Sequence, residues 1–263
     1  MDKNEIRRAN RRALPKFLLA LVVAALIGGT AGFLSGKFRS DMLTDRLRTI
    51  GAFFGTHIAP WLLLAAAILM PAVCIPICRS AKRLLGAWDG EDEAVSDAVD
   101  RKLSAAIWIS SAALIVSYFL IAASYSGGFA AFDSRETTAA FSVGVAAFFA
   151  VMVEALIIQQ KCVDAAKQTN PEKRASIYDM KFQKKWMEDC DEAEKLLIGK
   201  CAYKAYSATN TVCAILAIVL ALCALVFEIG FLPSLAVCLI WIVNLSVYCR
   251  EAMRYSKAGN RIS

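Results

Sequence analysis

Six apolar runs of about 20 residues recur along this chain and constrain its fold more than any other feature. A helix of that length crosses the ~30 Å hydrocarbon core of a bilayer. The runs fall at about 17–36, 52–78, 105–126, 139–160, 211–229 and 232–249. With 58% hydrophobic residues and a mean hydropathy of +0.50, the chain has more apolar surface than a soluble core absorbs. We expect an all-α, polytopic membrane protein in which residues 1–263 form a single membrane domain.

The basic start and the first apolar run could together form a signal peptide. The run from Phe17 to Gly36 is too long for a typical signal-peptide core, and five more runs follow. A retained first transmembrane helix is therefore the better interpretation, giving six spans.

Lysine and arginine predict how these spans are oriented. Of the 30 basic residues, 25 fall in residues 1–16, 79–104, 161–210 and the tail after 249. Cytoplasmic loops carry such an excess, so both termini and the two large loops are expected in the cytoplasm. The outer loop 37–50 is amphipathic and could lie on the membrane surface. The net charge of +7 thus reflects topology, and no nucleic acid partner is expected.

The longest polar segment, residues 161–210, has ten Lys/Arg and eight Asp/Glu residues and is predicted to be a cytoplasmic helical segment. Acidic clusters open the stretches 91–126 and 190–229. Carboxylates stabilise the positive end of a helix dipole. We therefore predict two long helices that begin in the cytoplasm and extend the third and fifth spans.

Asn170-Pro171 resembles a helix start, with a capping asparagine and proline at the first position. The helix predicted from there would carry Tyr178, Phe182 and Trp186 at four-residue spacing on one face. That face could pack on the bundle or the bilayer surface, or it could be a cytoplasmic contact face for a partner protein.

Gly28, Gly32 and Gly36 recur every fourth residue in the first span. Small residues at this spacing let membrane helices approach closely. They predict a helix-packing face, used either within the chain or in a homo-oligomer.

Glu154 is the most unusual residue of the apolar runs. A carboxylate at the centre of a membrane helix costs on the order of 2.5–3.5 kcal/mol, so water, protonation or a partner should offset it. Polar residues of the other runs lie at comparable depth, and prolines of the second run could free backbone carbonyls there. The predicted intramembrane polar site comprises Glu154, Asn244, Ser110, Ser111 and Thr211, with Pro71 and Pro76 at a similar level. It could be a proton or cation site, or polar contacts that hold helices together.

Motifs of known catalytic sites are missing from the sequence: there is no Walker loop, HExxH, GxSxG or paired histidines with carboxylates. The nine cysteines have no metal-type spacing, and His57 stands alone. We expect neither an enzyme nor a cofactor or metal site.

Several stretches together resemble one family. They are the basic amino end, Trp88 to Glu93 followed by Leu103-Ser104, and Asp191 to Lys195 followed by Ala202 to Ala205. The chain resembles the DUF3169 family of bacterial membrane proteins, found mainly in Firmicutes, over essentially its whole length. The resemblance implies a plasma-membrane protein of no established activity, often encoded beside a helix-turn-helix regulator, and it transfers no functional residues.

Two functions fit the sequence. The first is a sensor, anchor or accessory subunit that acts through the 161–210 segment on a cytoplasmic or membrane partner. The second is a small secondary carrier that uses the polar site around Glu154.

Overall fold

The computed structural model describes residues 15, 19, 22–23, 26, 29–30, 41–88, 92–126, 132, 134–170, 172–173, 175–227 and 231–257. Within these ranges the chain is helical and contains no strand, which confirms the all-α class. The elements are α1 (Asp41–Phe53), a π-helical turn (Phe54–Ile58), α2 (Ala59–Gly86), α3 (Glu93–Ser124), α4 (Arg135–Thr169), α5 (Phe182–Glu188), α6 (Glu192–Phe227) and α7 (Leu232–Lys257).

Five helical segments of the described chain are long and apolar enough to cross a membrane. They are Asp45–Gly86, Ala94–Ser124, Arg135–Thr169, Glu192–Ala224 and Leu232–Glu251. They coincide with the second to sixth predicted spans. Most of the first predicted span, including Gly28, Gly32 and Gly36, lies outside the described residues.

The chain divides into two compact units, residues 46–196 and residues 1–45 with 197–263. In the first unit, α2, α3 and α4 each pack against the other two, forming a three-helix bundle. In the second, Trp241 Nε1 donates a hydrogen bond of 3.1 Å to Asn210 Oδ1, and the rings of Tyr206 and Tyr248 stack 4.5 Å apart. These two contacts make α6 and α7 an antiparallel pair.

Small side chains form the contact surfaces of the three-helix bundle. On α3 the facing residues alternate at three- and four-residue spacing, the pattern of helices that cross at a shallow angle. The same kind of surface is present on α2 and α4, and it lets helix backbones approach closely. The facing residues are Leu103, Ala106, Ser110, Ala113, Ser117, Leu120 and Ser124 on α3; Gly144, Ala147, Val151, Ala155, Ile158, Cys162 and Ala165 on α4; and Ala59, Leu63, Ala67, Met70, Cys74 and Ala81 on α2.

The bundle exposes its large apolar side chains. Leu69 and Ile115 are 61% and 69% exposed, whereas Ser110 and Ser117 between the helices are fully buried. The buried serines of α3 donate to carbonyls of their own helix, Ser117 Oγ to Leu114 O at 2.7 Å for example, so each of these hydroxyls has a partner. A soluble protein would show the opposite distribution. This arrangement is compatible with an integral membrane protein.

The two long helices predicted from the acidic clusters are present. Asp92 caps α3, accepting hydrogen bonds from Ala94 N and Val95 N at 2.9 and 3.3 Å. At the start of α6, Glu194 N donates to Asp191 Oδ1 at 2.7 Å, and Asp191 N donates to Glu194 Oε2 at 3.3 Å. This reciprocal pair is a capping box, which satisfies amide groups that the first helical turn leaves free.

The prediction of a helix that begins at Asn170-Pro171 is wrong. Asn170 instead ends α4, with its N–H donating to Ala166 O at 3.1 Å. The chain then proceeds through turns, and α5 begins only at Phe182. The turns are favoured because a side chain of α4, Gln160, binds the backbone of this stretch, a contact between distant positions that local sequence cannot predict.

We call the end of the bundle where α2 ends, α3 begins and α4 ends the basic end, and the opposite end the glycine end. At the glycine end, a Cβ added to Gly55 in the π-helical turn would lie 2.1 Å from Ala123 O and 2.6 Å from Ser126 Oγ. A Cβ on Gly144 would lie 3.0 Å from Pro60 Cβ. The π-helical turn therefore packs this closely against α3 only because residue 55 has no side chain.

Replacing Gly55 with alanine should lower the free energy of unfolding by about 3 kcal/mol, because the nearest clash is with backbone that cannot rotate away. Thermal unfolding of the purified protein, followed by circular dichroism, measures the change. Gly51→Ala in α1 is the matched control, since no atom lies within 4 Å of its added Cβ. That variant should be neutral or slightly stabilising because alanine favours helix over glycine. Equal effects of the two variants would contradict the close approach at Gly55.

Candidate functional site

An open cavity of about 310 Å³ lies between α2 and α4, towards the basic end. Its volume is at the lower end of ligand-binding pockets, about 300–1,000 Å³. Its wall is apolar in the middle, acidic at one point and basic at the mouth. The lining residues are Pro71, Ile75, Cys78, Arg79, Lys82, Glu154, Ile157, Ile158 and Lys161.

Glu154 is the acidic group of this cavity. Its Oε2 atom is buried and has no hydrogen-bond partner among the described residues. It precedes Lys161 by seven residues of α4, which places it about 10 Å further along the helix, inside the apolar run. A buried acceptor without a donor costs free energy, so the cavity offers a bound group a specific polar contact.

Three basic side chains, Arg79, Lys82 and Lys161, lie at the mouth, and we call them the mouth cations. All three are exposed, and no carboxylate of the described chain forms an ion pair with any of them. Neighbouring basic residues behave differently: Lys102 Nζ donates to Ser80 Oγ at 3.0 Å, and Arg101 Nε donates to Asp97 O at 3.3 Å. The mouth therefore concentrates positive charge that no ion pair within the described residues neutralises.

Pro71 adds a second acceptor near the cavity. It lies inside α2 and has no N–H to donate to the carbonyl of Ala67, four residues earlier. Pro76 has the same effect on Ala72 one turn further on. Both prolines lie in an unbroken helix, and the freed carbonyls at this level stay a prediction.

The other predicted polar residues are not part of this cavity. Ser110 and Ser111 lie between α3 and α4, where Gln159 Nε2 donates to them at 3.5 and 3.1 Å. Sequence reasoning missed Gln159, although a glutamine at the end of an apolar run is a signal that could have identified it. The contact has the character of polar groups that hold two membrane helices together.

Thr211 and Asn244 belong to the second unit. Thr211 Oγ1 donates to Ser207 O at 3.1 Å on its own helix, as hydroxyls inside helices often do. Asn244 is half-buried, and its Nδ2 atom has no partner among the described residues.

Beyond the cavity mouth, residues 170, 172–173 and 175–196 contact the end of α4 and one another, and we call them the cap. Gln160, next to the mouth cation Lys161, holds it to α4. Its Oε1 accepts from Ile177 N at 2.9 Å and from Ser176 Oγ at 3.2 Å, and its Nε2 donates to Asp164 Oδ1 at 2.8 Å. The oxygen of this side chain therefore holds the cap, while its nitrogen is bound to the next turn of α4.

Lys173 is the centre of the cap and is only 5% exposed. Its ammonium forms an ion pair with Glu194 and lies 4.8 Å from the centroid of the Trp186 ring. A buried lysine requires such partners because an unpaired charge out of water is costly. The pair joins the turn after α4 to the first turn of α6.

The three residues of the predicted contact face do not share one helical face. Tyr178 lies in the turns before α5 and is 68% exposed. Phe182 and Trp186 are on α5 with ring centroids 5.7 Å apart, both half-buried. Trp186 covers Lys173, so its main contact is within the cap.

Four groups of the cap, Asp179, Lys185, Cys190 and Glu194, have shifted pKa values. Burial raises the pKa of the Cys190 thiol, and its hydrogen bond with Glu194 raises it further, so the thiol stays protonated and weakly reactive at neutral pH. A hydrogen bond from Lys185 lowers the pKa of the exposed Asp179 carboxyl. No three His, Cys, Asp or Glu side chains of the described chain are grouped so that they could hold a metal ion.

Replacing Glu194 with glutamine should destabilise the cap, because it leaves the buried Lys173 without a counter-charge. Loss of one member of a buried pair costs about 3–5 kcal/mol, and since Glu194 is one-third exposed we expect about 2 kcal/mol. Amide hydrogen exchange of residues 173–190, followed by mass spectrometry, should then be roughly 30-fold faster.

Glu192→Gln is the matched control, since its pair with Lys195 is at the surface and Glu192 is 93% exposed. Exchange should change little in that variant. The double substitution K173M/E194Q should recover most of the protection, because a methionine can pack under Trp186 without a charge. Similar exchange in E194Q and E192Q would contradict the buried pair.

Comparison with known proteins adds a family but no activity. No curated protein and no solved structure matches the chain. A family model described as "Protein of unknown function (DUF3169)" matches residues 9–252, nearly the whole sequence. The chain therefore belongs to the DUF3169 family.

Proposed function

We propose that the protein is a non-enzymatic integral membrane protein that senses a ligand in the α2–α4 cavity and signals through its cap. Six spans with both termini in the cytoplasm of the cell agree with the location of 25 of its 30 basic residues. The basic end and the cap then face the cytoplasm.

The contact between Gln160 and the backbone of Ile177 is the observation that carries this proposal. It ties the cap to the last turns of α4 instead of leaving it as a flexible tail. Lys161, the neighbouring residue, lines the cavity. A ligand that moves the end of α4 therefore acts on the mouth cation and on the cap contact together, which is what coupling between two sites requires.

A cytoplasmic partner would find its contact surface on the turns before α5. Met180 is fully exposed and Tyr178 is about two-thirds exposed, and the basic residues Lys181 and Lys184 follow them in the sequence. Exposed apolar side chains amid charges are typical of a protein–protein contact with a polar rim. These residues lie on a cap that a hydrogen bond holds to α4, which favours a sensor or accessory subunit over a simple membrane anchor.

Replacing Met180 with a photo-crosslinking amino acid should capture a soluble protein in intact cells, and Tyr178→Asp in the same protein should reduce the capture at least tenfold. Loss of a buried aromatic anchor at an interface costs about 2 kcal/mol or more. A crosslinker at Thr137, near the start of α4 on the opposite side of the predicted membrane, should capture none.

Position 180 also tests the proposed orientation of the protein in the membrane. In a protein whose exposed Cys201, Cys238 and Cys249 are replaced by serine, Met180→Cys should react with a membrane-impermeant maleimide only in inverted vesicles. Labelling from outside intact cells would overturn the proposed orientation, and equal capture by the Tyr178→Asp protein would overturn the contact surface.

A carrier is the second candidate, because Glu154 lines an open cavity and its buried Oε2 atom has no hydrogen-bond partner among the described residues. In proteoliposomes with ion gradients and a pH-sensitive dye, such a carrier would move protons, Na⁺ or K⁺. Glu154→Gln should reduce that flux at least tenfold, while Glu136→Gln, exposed in the first turn of α4, should not. Absence of all three fluxes in the wild-type protein would reject the carrier.

A further inference from the structure

We propose that the α2–α4 cavity binds an anionic phospholipid, with the lipid phosphate at the mouth cations and an acyl chain along the apolar wall. This deepens the proposed function by naming the ligand class, and it rests on that function only for the consequence of binding, not for the binding itself.

The charge of the mouth is the first argument. Three cations converge on one opening, and no carboxylate of the described chain pairs with them. Guanidinium and ammonium groups are the phosphate ligands that proteins use most. Basic pockets between transmembrane helices on the cytoplasmic side bind anionic lipid headgroups. Basic residues that only set the membrane orientation must lie on this side of the membrane, but they need not surround one cavity.

The wall of the cavity decides between a lipid and a soluble anion. Ile75, Ile157 and Ile158 continue from the mouth into the apolar part of the helices. A hydrated phosphate has no favourable contact there, whereas an acyl chain does. The ligand therefore has a charged end and an apolar end in the order in which the bilayer presents a phospholipid.

Glu154 fits the same ligand. Because it lies about 10 Å deeper than Lys161, its charge does not compete with the phosphate for the mouth. At that depth a protonated carboxyl can donate a hydrogen bond to an ester carbonyl of the lipid, which satisfies the buried oxygen atom without a charge in the membrane.

Native mass spectrometry of the full-length protein tests the proposal, with phosphatidylglycerol and phosphatidylcholine offered in turn. The wild-type protein should retain one phosphatidylglycerol and not phosphatidylcholine. The variant R79Q/K82Q/K161Q should bind about 100-fold more weakly, at about fivefold for each basic residue near a membrane surface. The matched control R83Q/R101Q/K181Q removes three exposed charges that do not line the cavity and should bind as the wild type does.

Further arms identify the source of the phosphate and the role of the deep carboxyl. Glu154→Gln should keep lipid binding, because its amide still donates a hydrogen bond. Equal binding by the triple variant and the control, or equal retention of both lipids, would overturn the lipid site. Displacement of the lipid by millimolar inorganic phosphate would overturn it in favour of a soluble anion.

Hydrogen exchange separates this proposal from the sensor role. Phosphatidylglycerol should slow exchange of residues 173–190 in the wild type and not in R79Q/K82Q/K161Q. Specific binding without any change in the cap would support the lipid site and reject the sensor. If phosphatidylglycerol slowed exchange in R79Q/K82Q/K161Q as much as in the wild type, the lipid would act at another site. That result would overturn the lipid site proposed here.

Discussion

Close contact between small side chains of α2, α3 and α4 is the constraint on which the rest of the bundle depends. Lipid tails are as apolar as a leucine side chain. Helices in a bilayer therefore gain little free energy by burying large side chains against each other. They gain from backbone proximity and packing, which alanine, glycine and serine permit. Gly55 and Gly144 are the extreme cases, because a single methyl group at either would meet backbone or proline atoms within about 3 Å. Because small side chains occupy most of the contact surfaces between the helices, most of the large apolar side chains face outward.

The cap is held by a different kind of interaction, because it consists largely of polar chain. Turns expose amide groups that need partners, and Gln160 supplies one from the end of α4. Lys173 supplies the second fixed point through Glu194 and Trp186. The Gln160–Ser176 hydrogen bond and the Lys173–Glu194 ion pair join positions that are 16 and 21 residues apart. Each closes a loop, and the entropy lost on closure must be offset by the polar contact that forms. The cap is consequently ordered where its composition alone would favour a solvated linker.

Local signals explain which features could be predicted from the sequence. Hydropathy places the second to sixth spans, and the acidic clusters predict the starts of α3 and α6, because both depend on neighbouring residues. The failure at Asn170 has the opposite cause, since Gln160 binds the following turns across the fold. Gln159 and Gly55 were missed for the same reason: their roles depend on which helix lies opposite. Glu154 was identified as costly from its position alone, but its separation from Ser110 and Ser111 follows from helix rotation, which spacing in one helix does not fix.

Two different demands favour basic residues at positions such as those of the mouth cations, and a sequence does not distinguish them. Positive charge at the end of a span orients the protein whatever surrounds it, and any exposed position would suffice. Lys102 and Arg101 satisfy that demand while donating hydrogen bonds to their own bundle. Arg79, Lys82 and Lys161 come from two helices, face one opening and form no ion pair with a carboxylate of the described residues. Orientation does not require convergence, and stability would favour a carboxylate partner nearby. Their convergence on an apolar cavity is therefore better explained by a ligand that carries the missing negative charge.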